Sequence, residues 1–275
     1  MSGAKFPSLQ LTVDRGVAGV RIDHPPMNLL DADLLGQLDQ LGRSLEADKR
    51  VRVIVFRSAD PDFFIAHGDV NGILRLPEEV PPAPAGLPWV HQVLERYRSM
   101  SKVTIAQIEG FARGGGSEFC LACDMRFAAL GRAVFGQPEV GLGIIPGAGG
   151  TARLARLVGR ARAAEIILSG ADFPAADAER YGWINRALPA EELGPFVDHL
   201  ACRIAGFPAQ AIAQAKAVIN AASIDTVSAL LGEQIAFDQC LADPERRRRM
   251  ARFLELGCQT RAGEPSLGDD LERLA

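Results

Sequence analysis

Two short apolar runs constrain the fold of this chain more than any other feature. Residues 51–56 and Val103–Ile108 are rich in β-branched side chains, as is typical of strands that are buried on both faces of a parallel sheet. A helix is predicted just before the first of them, because Asp31 can cap a segment whose leucines recur at helical spacing up to Leu45. Alternating strands and helices of this kind predict an α/β core.

The remaining segments extend this pattern in both directions. Residues 9–13 and Val17–Ile22 predict a hairpin, and the five prolines from Pro77 to Pro88 predict a surface excursion that borders a pocket. From about Pro208 the chain is rich in alanine and reads as helical, and Pro244 opens the last long helix. Further elements are predicted as a helix at 90–100, strands at 125–129 and 133–135, and a single amphipathic helix at 151–168.

Charge and composition exclude several classes of function. The chain has 30 Lys and Arg against 34 Asp and Glu, a net charge of −4, and only 6% aromatic residues, which argues against nucleic acid as a partner. No run approaches the roughly 18 to 20 apolar residues of a membrane span, and residues 1–7 lack the pattern of a signal peptide. The five scattered cysteines predict reduced thiols. We therefore expect a cytoplasmic protein with no membrane partner.

Two glutamates stand out as candidates for chemistry. Glu118 follows three glycines and is surrounded by apolar residues, where a carboxylate is costly to bury without a partner or a purpose. Glu139 follows a short predicted strand in a similar setting, and two carboxylates with different protonation states can do acid and base work on one substrate. The structural alternatives are a helix cap for Glu118 and a loop position for Glu139. Amides of the triple glycine at a helix start suit developing negative charge, although glycines also serve tight turns.

Other motifs carry less information. Residues 147–152 satisfy a loose dinucleotide fingerprint but do not follow a first strand, so they are predicted to start a helix. No phosphate-binding P-loop is present, and residues around Ser117 lack the last glycine of a hydrolase elbow. Cys120 and Cys123 are predicted to be small core residues and not a metal site. The four arginines 246–249 are predicted to form a solvated face, with phosphate binding as the alternative.

Several motifs in a fixed order give the chain a family resemblance. The glycines 114–116 with Glu118, the residues Phe135-Gly136-Gln137-Pro138-Glu139 and the run from Gly143 to Thr151 strongly resemble the enoyl-CoA hydratase/isomerase, or crotonase, family. The resemblance implies an α/β fold with a crotonase-like spiral of repeated ββα units at residues 1–205. It also implies a C-terminal helical extension at 206–275 that packs the chain into a homotrimer or homohexamer.

The same resemblance implies a role for individual residues. Backbone amides of Gly68 and Gly115 match the oxyanion hole for a thioester carbonyl, Glu118 matches the residue that activates water, and Glu139 matches the one that exchanges a proton with the α-carbon. No metal or redox cofactor is implied, because coenzyme A is part of the substrate. The residues implied to bind substrate are Ala66, His67, Asp69, Gly114, Pro138 and Gly141.

These matches predict an enoyl-CoA hydratase, which adds water to a 2-trans-enoyl-CoA and forms a 3-hydroxyacyl-CoA. An isomerase, another crotonase-type lyase or hydrolase, or a non-catalytic CoA-binding subunit remains open. Two positions depart from the family pattern: His67 places a bulky ionisable group in the oxyanion loop, and Arg113 replaces a small or apolar residue. His67 either changes the pocket and its proton traffic or points to solvent.

Overall fold

A hairpin at the start of the chain is extended by parallel strands into a large sheet. The structure, a computed structural model, describes residues 6–222 and 226–274. Its strands are β1 (Leu9–Asp14), β2 (Val17–Ile22), β3 (Val53–Ser58), β4 (Phe63–Ile65), β5 (Val103–Ile108), β6 (Phe111–Arg113), β7 (Met125–Ala129), β8 (Val134–Gly136), β9 (Asp172–Pro174) and β10 (Arg186–Leu188). The predicted hairpin and the two buried runs are thus confirmed, with β3 beginning two residues later than expected.

From β3 to β8, consecutive strands alternate between two sheets. The larger sheet has the order β1-β2-β3-β5-β7-β10 and is parallel beyond its first pair, while the smaller has the order β4-β6-β8-β9. The pairs β3/β4, β5/β6 and β7/β8 each send one strand to each sheet before a helical segment follows. This repetition is the predicted spiral of ββα units.

Helices cover the sheets and form the C-terminal part of the chain. They are α1 (Ala32–Ala47), α2 (Val70–Leu74), α3 (Trp89–Ser99), α4 (Gly114–Ala122), α5 (Gly150–Val158), α6 (Arg160–Ser169), α7 (Ala175–Tyr181), α8 (Ala190–Ala205), α9 (Ala209–Ala222), α10 (Thr226–Leu241), α11 (Pro244–Glu255) and α12 (Leu267–Asp270). Asp31 caps α1 as predicted, since its Oδ1 accepts from the Leu34 amide at 2.8 Å. Every helix in the described residues is too short or too polar to cross a membrane.

The prediction of one helix over residues 151–168 is wrong. Gly159 interrupts it with φ +81° and ψ 159°, a conformation that a helix cannot contain and that favours glycine. The chain therefore turns between α5 and α6, although the apolar periodicity continues through both.

The core lies between the large sheet and the helices α1, α3 and α4. Phe56 and Phe119 meet edge to face with ring centroids 4.9 Å apart, and Tyr97 packs against both rings. A separate apolar cluster joins α11 and α12 to the residues after β8, including Leu142 and Ile144. The C-terminal segment is thereby packed onto the edge of the small sheet.

Candidate active site

Three neighbouring strands of the small sheet end at the same edge. The strands β4, β6 and β8 are parallel, so their carboxyl ends lie side by side, the usual place for a ligand site in such sheets. Gly68 follows β4 by three residues, Gly114 follows β6 directly, and Glu139 follows β8 by three residues. Segments more than 70 residues apart along the chain are thus brought together by strand register.

The amides of Gly68 and Gly115 lie next to each other at this edge. A β-carbon built on Gly115 would lie only 3.2 Å from the Gly68 nitrogen. Gly115 is the second residue of α4, so its N–H belongs to the first turn, which has no intrahelical acceptor. Within the described ranges 6–222 and 226–274, neither amide donates to another protein group. The pair is free to bind an external oxygen.

The direction of the Gly68 amide is set by its neighbours. The carbonyl of His67 accepts from the Leu30 amide at 2.8 Å, and the Asp69 amide donates to the Leu30 carbonyl at 3.3 Å. Because a trans peptide points its N–H away from its C=O, the first bond turns the Gly68 N–H away from Leu30. The two bonds form an isolated parallel β-bridge between Leu30 and Gly68. The sequence pattern did not predict this bridge.

Glu118 is buried one turn into α4 and has defined partners. Its Oε1 accepts from the amides of Ala148 at 2.6 Å and Gly150 at 2.8 Å. Burial raises the pKa of this carboxyl, whereas the two amides and the charge of Arg153 act in the opposite direction. The two N–H groups favour the ionised form, so Glu118 is the better base of the site.

Glu139 begins a short 3-10 helix and faces the glycine turn. Its Oε1 would lie 2.8 Å from a β-carbon on Gly114, and the Gln137 amide, turned with its nitrogen toward the carboxyl, donates to both oxygens at 3.2 and 3.1 Å. Burial and then the charge of Glu118 raise the pKa of Glu139 well above its usual value. Glu139 is therefore the group that holds a proton when Glu118 is ionised.

A third buried carboxyl, Glu233 of α10, completes the cluster and was missed by the sequence analysis. It accepts from the amides of Gly149 at 2.5 Å and Ala152 at 2.8 Å, which alternate with the amides that hold Glu118. Burial and the charge of Glu118 raise the pKa of Glu233 to about 8. No sequence signal marks this residue, because it lies on a helix of mixed polarity 84 residues from its partner.

Glu118, Glu139 and the glycines open into one cavity of about 700 Å³. This volume is in the range of sites for small organic ligands. Glu118 and Glu139 lie at its walls with Gly68 and Gly115. Much of the remaining lining is apolar, chiefly Leu30, Trp89, Val90, Leu142, Ile144, Phe237 and Phe253, and Asp31, Asp33, Arg75 and Gln234 add polar groups. Leu76 and Pro88, at the two ends of the proline-rich excursion, also border it. The cavity therefore combines an apolar wall with one polar end.

The other residues expected to bind substrate fall into two groups. His67, Asp69, Gly114 and Pro138 line the cavity, and Asp69 also caps α2 by accepting from the Asn71 amide at 3.1 Å. Ala66 and Gly141 lie behind it. The Ala66 carbonyl accepts from the Arg113 amide at 3.0 Å.

Gly141 contacts the C-terminal segment. A β-carbon on it would lie 3.0 Å from the Leu271 side chain, and its carbonyl accepts from Arg249 at 3.2 Å. Neither Ala66 nor Gly141 is among the residues that line the cavity, and substrate binding by these two residues stays a prediction.

The alternative that His67 points to solvent is wrong. Its side chain is 5% exposed, and its Nε2 lies 2.7 Å from Oε1 of Glu264, a fully buried carboxyl in the C-terminal segment. Arg113 is also fully buried and bonds the same carboxyl through Nη1 at 3.2 Å. Neither Glu264 nor its connection to the two loops has a sequence signal.

The arginine run and the cysteines are placed as follows. Arg246 is buried and donates to the Ile73 carbonyl at 2.9 Å, so the expected solvated face begins only at Arg247. Arg248 and Arg249 pair with Glu245 on their own helix. Cys120 and Cys123 are buried free thiols in the core, as predicted.

Comparison with known proteins agrees with this arrangement. A family model described as enoyl-CoA hydratase/isomerase matches residues 12–259. The chain is 34% identical to the short-chain-enoyl-CoA hydratase of Clostridium acetobutylicum, over 87% of this chain and 91% of that protein. It is 33% identical to the crotonyl-CoA hydratase of Syntrophomonas wolfei, over 91% and 96%.

A solved structure shows the same fold. A Streptomyces avermitilis protein, provisionally described as an enoyl-CoA hydratase, superposes with a TM-score of 0.89 at 41% identity, covering 97% of this chain and 98% of that one. The fold, the edge site and the match over nearly the whole length lead to one assignment. The chain belongs to the enoyl-CoA hydratase/isomerase family.

Proposed function

We propose that this protein is an enoyl-CoA hydratase that adds water to a 2-trans-enoyl-CoA and forms a 3-hydroxyacyl-CoA. The observation that carries the proposal is the pair of buried carboxyls, Glu118 and Glu139, on the wall of one cavity beside two unpaired amides. The named activities of the relatives at 33 and 34% identity support the same reaction.

The reaction begins with binding of the thioester oxygen. The amides of Gly68 and Gly115 donate to this oxygen, where negative charge grows as the nucleophile adds to the β-carbon. One well-placed donor of this kind is worth roughly 2.7 to 4 kcal/mol of transition-state stabilisation. The apolar wall excludes bulk water from the acyl group and strengthens these bonds.

The two carboxyls divide the proton transfers. Ionised Glu118 accepts a proton from the water that attacks the β-carbon, and protonated Glu139 donates a proton to the α-carbon of the resulting enolate. Water is thereby added as hydroxyl and hydrogen, and the proton moves from the Glu139 side to the Glu118 side. Burial raises the pKa of both carboxyls, and the larger rise of Glu139 suits its role as the proton donor.

Comparing acyl thioesters tests the proposal. The purified protein is incubated with crotonyl-CoA, a 3-enoyl-CoA and a 3-hydroxyacyl-CoA, and the absorbance of the conjugated thioester is followed. We expect loss of absorbance with crotonyl-CoA and its appearance with the 3-hydroxyacyl-CoA, both absent in the double variant E118Q/E139Q. Conversion of the 3-enoyl-CoA alone would assign an isomerase, and binding with no conversion would assign a CoA-binding subunit.

Three further properties belong to this proposal. No metal or redox cofactor takes part, since two carboxyls and two amides supply every proton transfer and charge contact that hydration requires. The protein is a homotrimer or homohexamer, as the family resemblance implies. Light scattering tests this by measuring the mass of the assembly in solution. Exposed Val218 and Ile219 on α9, at 67% and 69%, support burial by another copy. Its location is cytoplasmic.

A further inference from the structure

The two departures from the family pattern meet at one carboxyl. His67 lies in the loop after β4 and Arg113 ends β6, 46 positions later, yet both side chains contact Glu264. His67 directly precedes Gly68, and Arg113 precedes Gly115 by two residues. A single residue of the C-terminal segment therefore contacts a side chain in each of the two loops that carry the oxyanion glycines.

The surroundings of the His67 ring define its protonation. Nδ1 lies 2.7 Å from the Gly68 carbonyl oxygen, and Nε2 lies 2.7 Å from Oε1 of Glu264. Both of these oxygens are acceptors, so both ring nitrogens must carry hydrogen to form the two bonds. The geometry is that of an imidazolium ion with both donors engaged.

Charged groups around this ring are balanced. Glu264 faces it directly, Arg113 reaches the far oxygen of the same carboxyl, and Asp172 holds Arg113 by two bonds of 2.7 and 2.6 Å. From α11 only the ring of Phe253 packs against His67, edge to face at 6.0 Å, and Glu139 lies across the turn at Gly114. Two cations and two carboxylates thus form one network of balanced charge, in which only Asp172 is partly exposed.

The effect on the Gly68 amide follows from its two flanking peptides. The Leu30 amide fixes the peptide before Gly68, and His67 Nδ1 donates to the Gly68 carbonyl and fixes the peptide after it. The Arg113 amide also donates to the Ala66 carbonyl, which joins the two loops ahead of their glycines. Donors held in this way need no reorganisation when charge develops on the substrate.

Glu264 is itself held in place. Its Oε1 accepts from the Gln259 amide at 3.0 Å, its backbone carbonyl accepts from Arg113 at 2.9 Å, and the residue is fully buried. The Gln259 side chain then bonds the Val70 amide at 2.7 Å and Asp69 at 2.8 Å. The loop of the oxyanion hole is tied to the C-terminal segment at both ends.

We propose that Glu264 is a positioning residue of the oxyanion hole. Through His67 and Arg113 it holds the two glycine loops in register, and it keeps a protonated imidazole ring beside the thioester oxygen. This inference rests on the proposed function for the identity of that oxygen. It assigns no contact between Glu264 and the substrate.

Binding of acetoacetyl-CoA tests the proposal without any hydration step. The enolate of this 3-oxoacyl thioester has its own ultraviolet absorbance, and an oxyanion hole favours it over the keto form. We expect E264Q and H67Q to lower the bound enolate fraction at least tenfold. For crotonyl-CoA hydration we expect kcat to fall at least tenfold with KM within threefold, because the acyl and CoA contacts remain.

The control must loosen the same segment without touching the network. Arg261 ties it to Asp60 and Asp62 from the outside and is 43% exposed, so R261Q should retain the wild-type enolate fraction. If E264Q does not fold, as judged by circular dichroism and thermal melting, H67Q decides. E264D should recover part of the lost enolate, since it restores the charge.

The outcomes separate the two proposals. Wild-type enolate fractions in E264Q and H67Q, or equal losses in R261Q, would overturn the positioning role, as would a wild-type protein that binds acetoacetyl-CoA only in its keto form. Enolate binding by the wild type with loss in the two variants, but no turnover of crotonyl-CoA, would support the positioning role and refute the hydratase.

Discussion

Two groups of buried carboxyls lie near the cavity, and their pKa values are shifted in opposite directions. Backbone amides hold Glu118 and Glu233, and the side-chain amide of Gln137 holds Glu139; in the described part of the chain no cation lies within salt-bridge distance of the three. Burial raises the pKa of each. Burial acts in the same direction on Glu264, yet the charge and hydrogen bond of His67 and the charge of Arg113 outweigh it and lower its pKa.

The difference shows that burial alone does not decide the protonation of a carboxyl. Amides stabilise the anion only in part, so the glutamates of this group keep their protons to a higher pH than free carboxyls do, as proton transfer requires. Cations outweigh the effect of burial on Glu264, which favours the ionised carboxylate beside a protonated His67. The first group is suited to chemistry and the second to holding the oxyanion loops.

The largest effect is expected from Glu139→Gln. Removing the acid that protonates the α-carbon should lower kcat for crotonyl-CoA about 10²- to 10⁴-fold, while the fold remains because the amide has the same shape. Loss of thioester absorbance measures the rate, and E109Q, on the surface, serves as the control. Turnover within threefold of the wild type in a folded variant would remove Glu139 from the mechanism.

Glu264→Leu should have the largest effect on stability. It leaves His67 and Arg113 buried without their shared partner, and breaking a buried ion pair from one side costs about 3 to 5 kcal/mol. Burial alone would lower the pKa of His67, but the charge of Glu264 outweighs burial and raises it. The pKa of Glu264 is lowered in turn by His67 and Arg113.

The directions of the two pKa shifts define the pH range in which Glu264→Leu destabilises the protein most. The contribution of Glu264 is complete above its usual value of 4.5 and is lost as pH falls through the folded-state pKa. That of His67 is complete below 6.5 and is lost as pH rises through its folded-state pKa. Urea unfolding should therefore separate variant and wild type most between those two values, and a constant difference from pH 4 to 9 would contradict the ion pair.

Gly115→Ala should reduce activity with little change in folding. The new methyl group would lie 3.2 Å from the Gly68 nitrogen and from Leu30 Cδ2, in the space of the thioester oxygen. Blocking one oxyanion donor costs about 10²- to 10³-fold in kcat. G232A, a helical glycine with open space around it, is the matched control, and equal rates for both variants would place the oxyanion hole elsewhere.

The smallest effect is expected from Glu233→Gln, and it has the opposite sign to that of Glu264. The folded state holds a proton on Glu233 up to about pH 8, against a usual value of 4.5, so the wild type loses stability as pH rises between these values. We expect E233Q to remove on the order of 2 kcal/mol of this loss between pH 5 and 8. Denaturant midpoints at both pH values measure it, with exposed E255Q as control; parallel pH profiles would rule out the shift.

Much of the fold could be predicted because it depends on local patterns. Buried strands such as Val103–Ile108 and the cap at Asp31 follow from side-chain type and spacing. The helix break at Gly159 could not, since a glycine in an amphipathic run is compatible with either a continuous helix or a turn. For the site, the motif resemblance supplied Gly68, Gly115, Glu118 and Glu139, and the structure places all four at one cavity.

The sequence by itself determined the α/β pattern and the motif residues, because these depend on neighbours along the chain. Only the tertiary structure decided that Glu233 and Glu264, from a C-terminal segment that the family resemblance assigned to oligomerisation, contact the loops that carry the site. Their contacts span 84 and 197 positions, and such distances are closed by strand register and helix packing. A carboxyl's charge then depends on which groups this packing places beside it, so its role cannot be known before the fold.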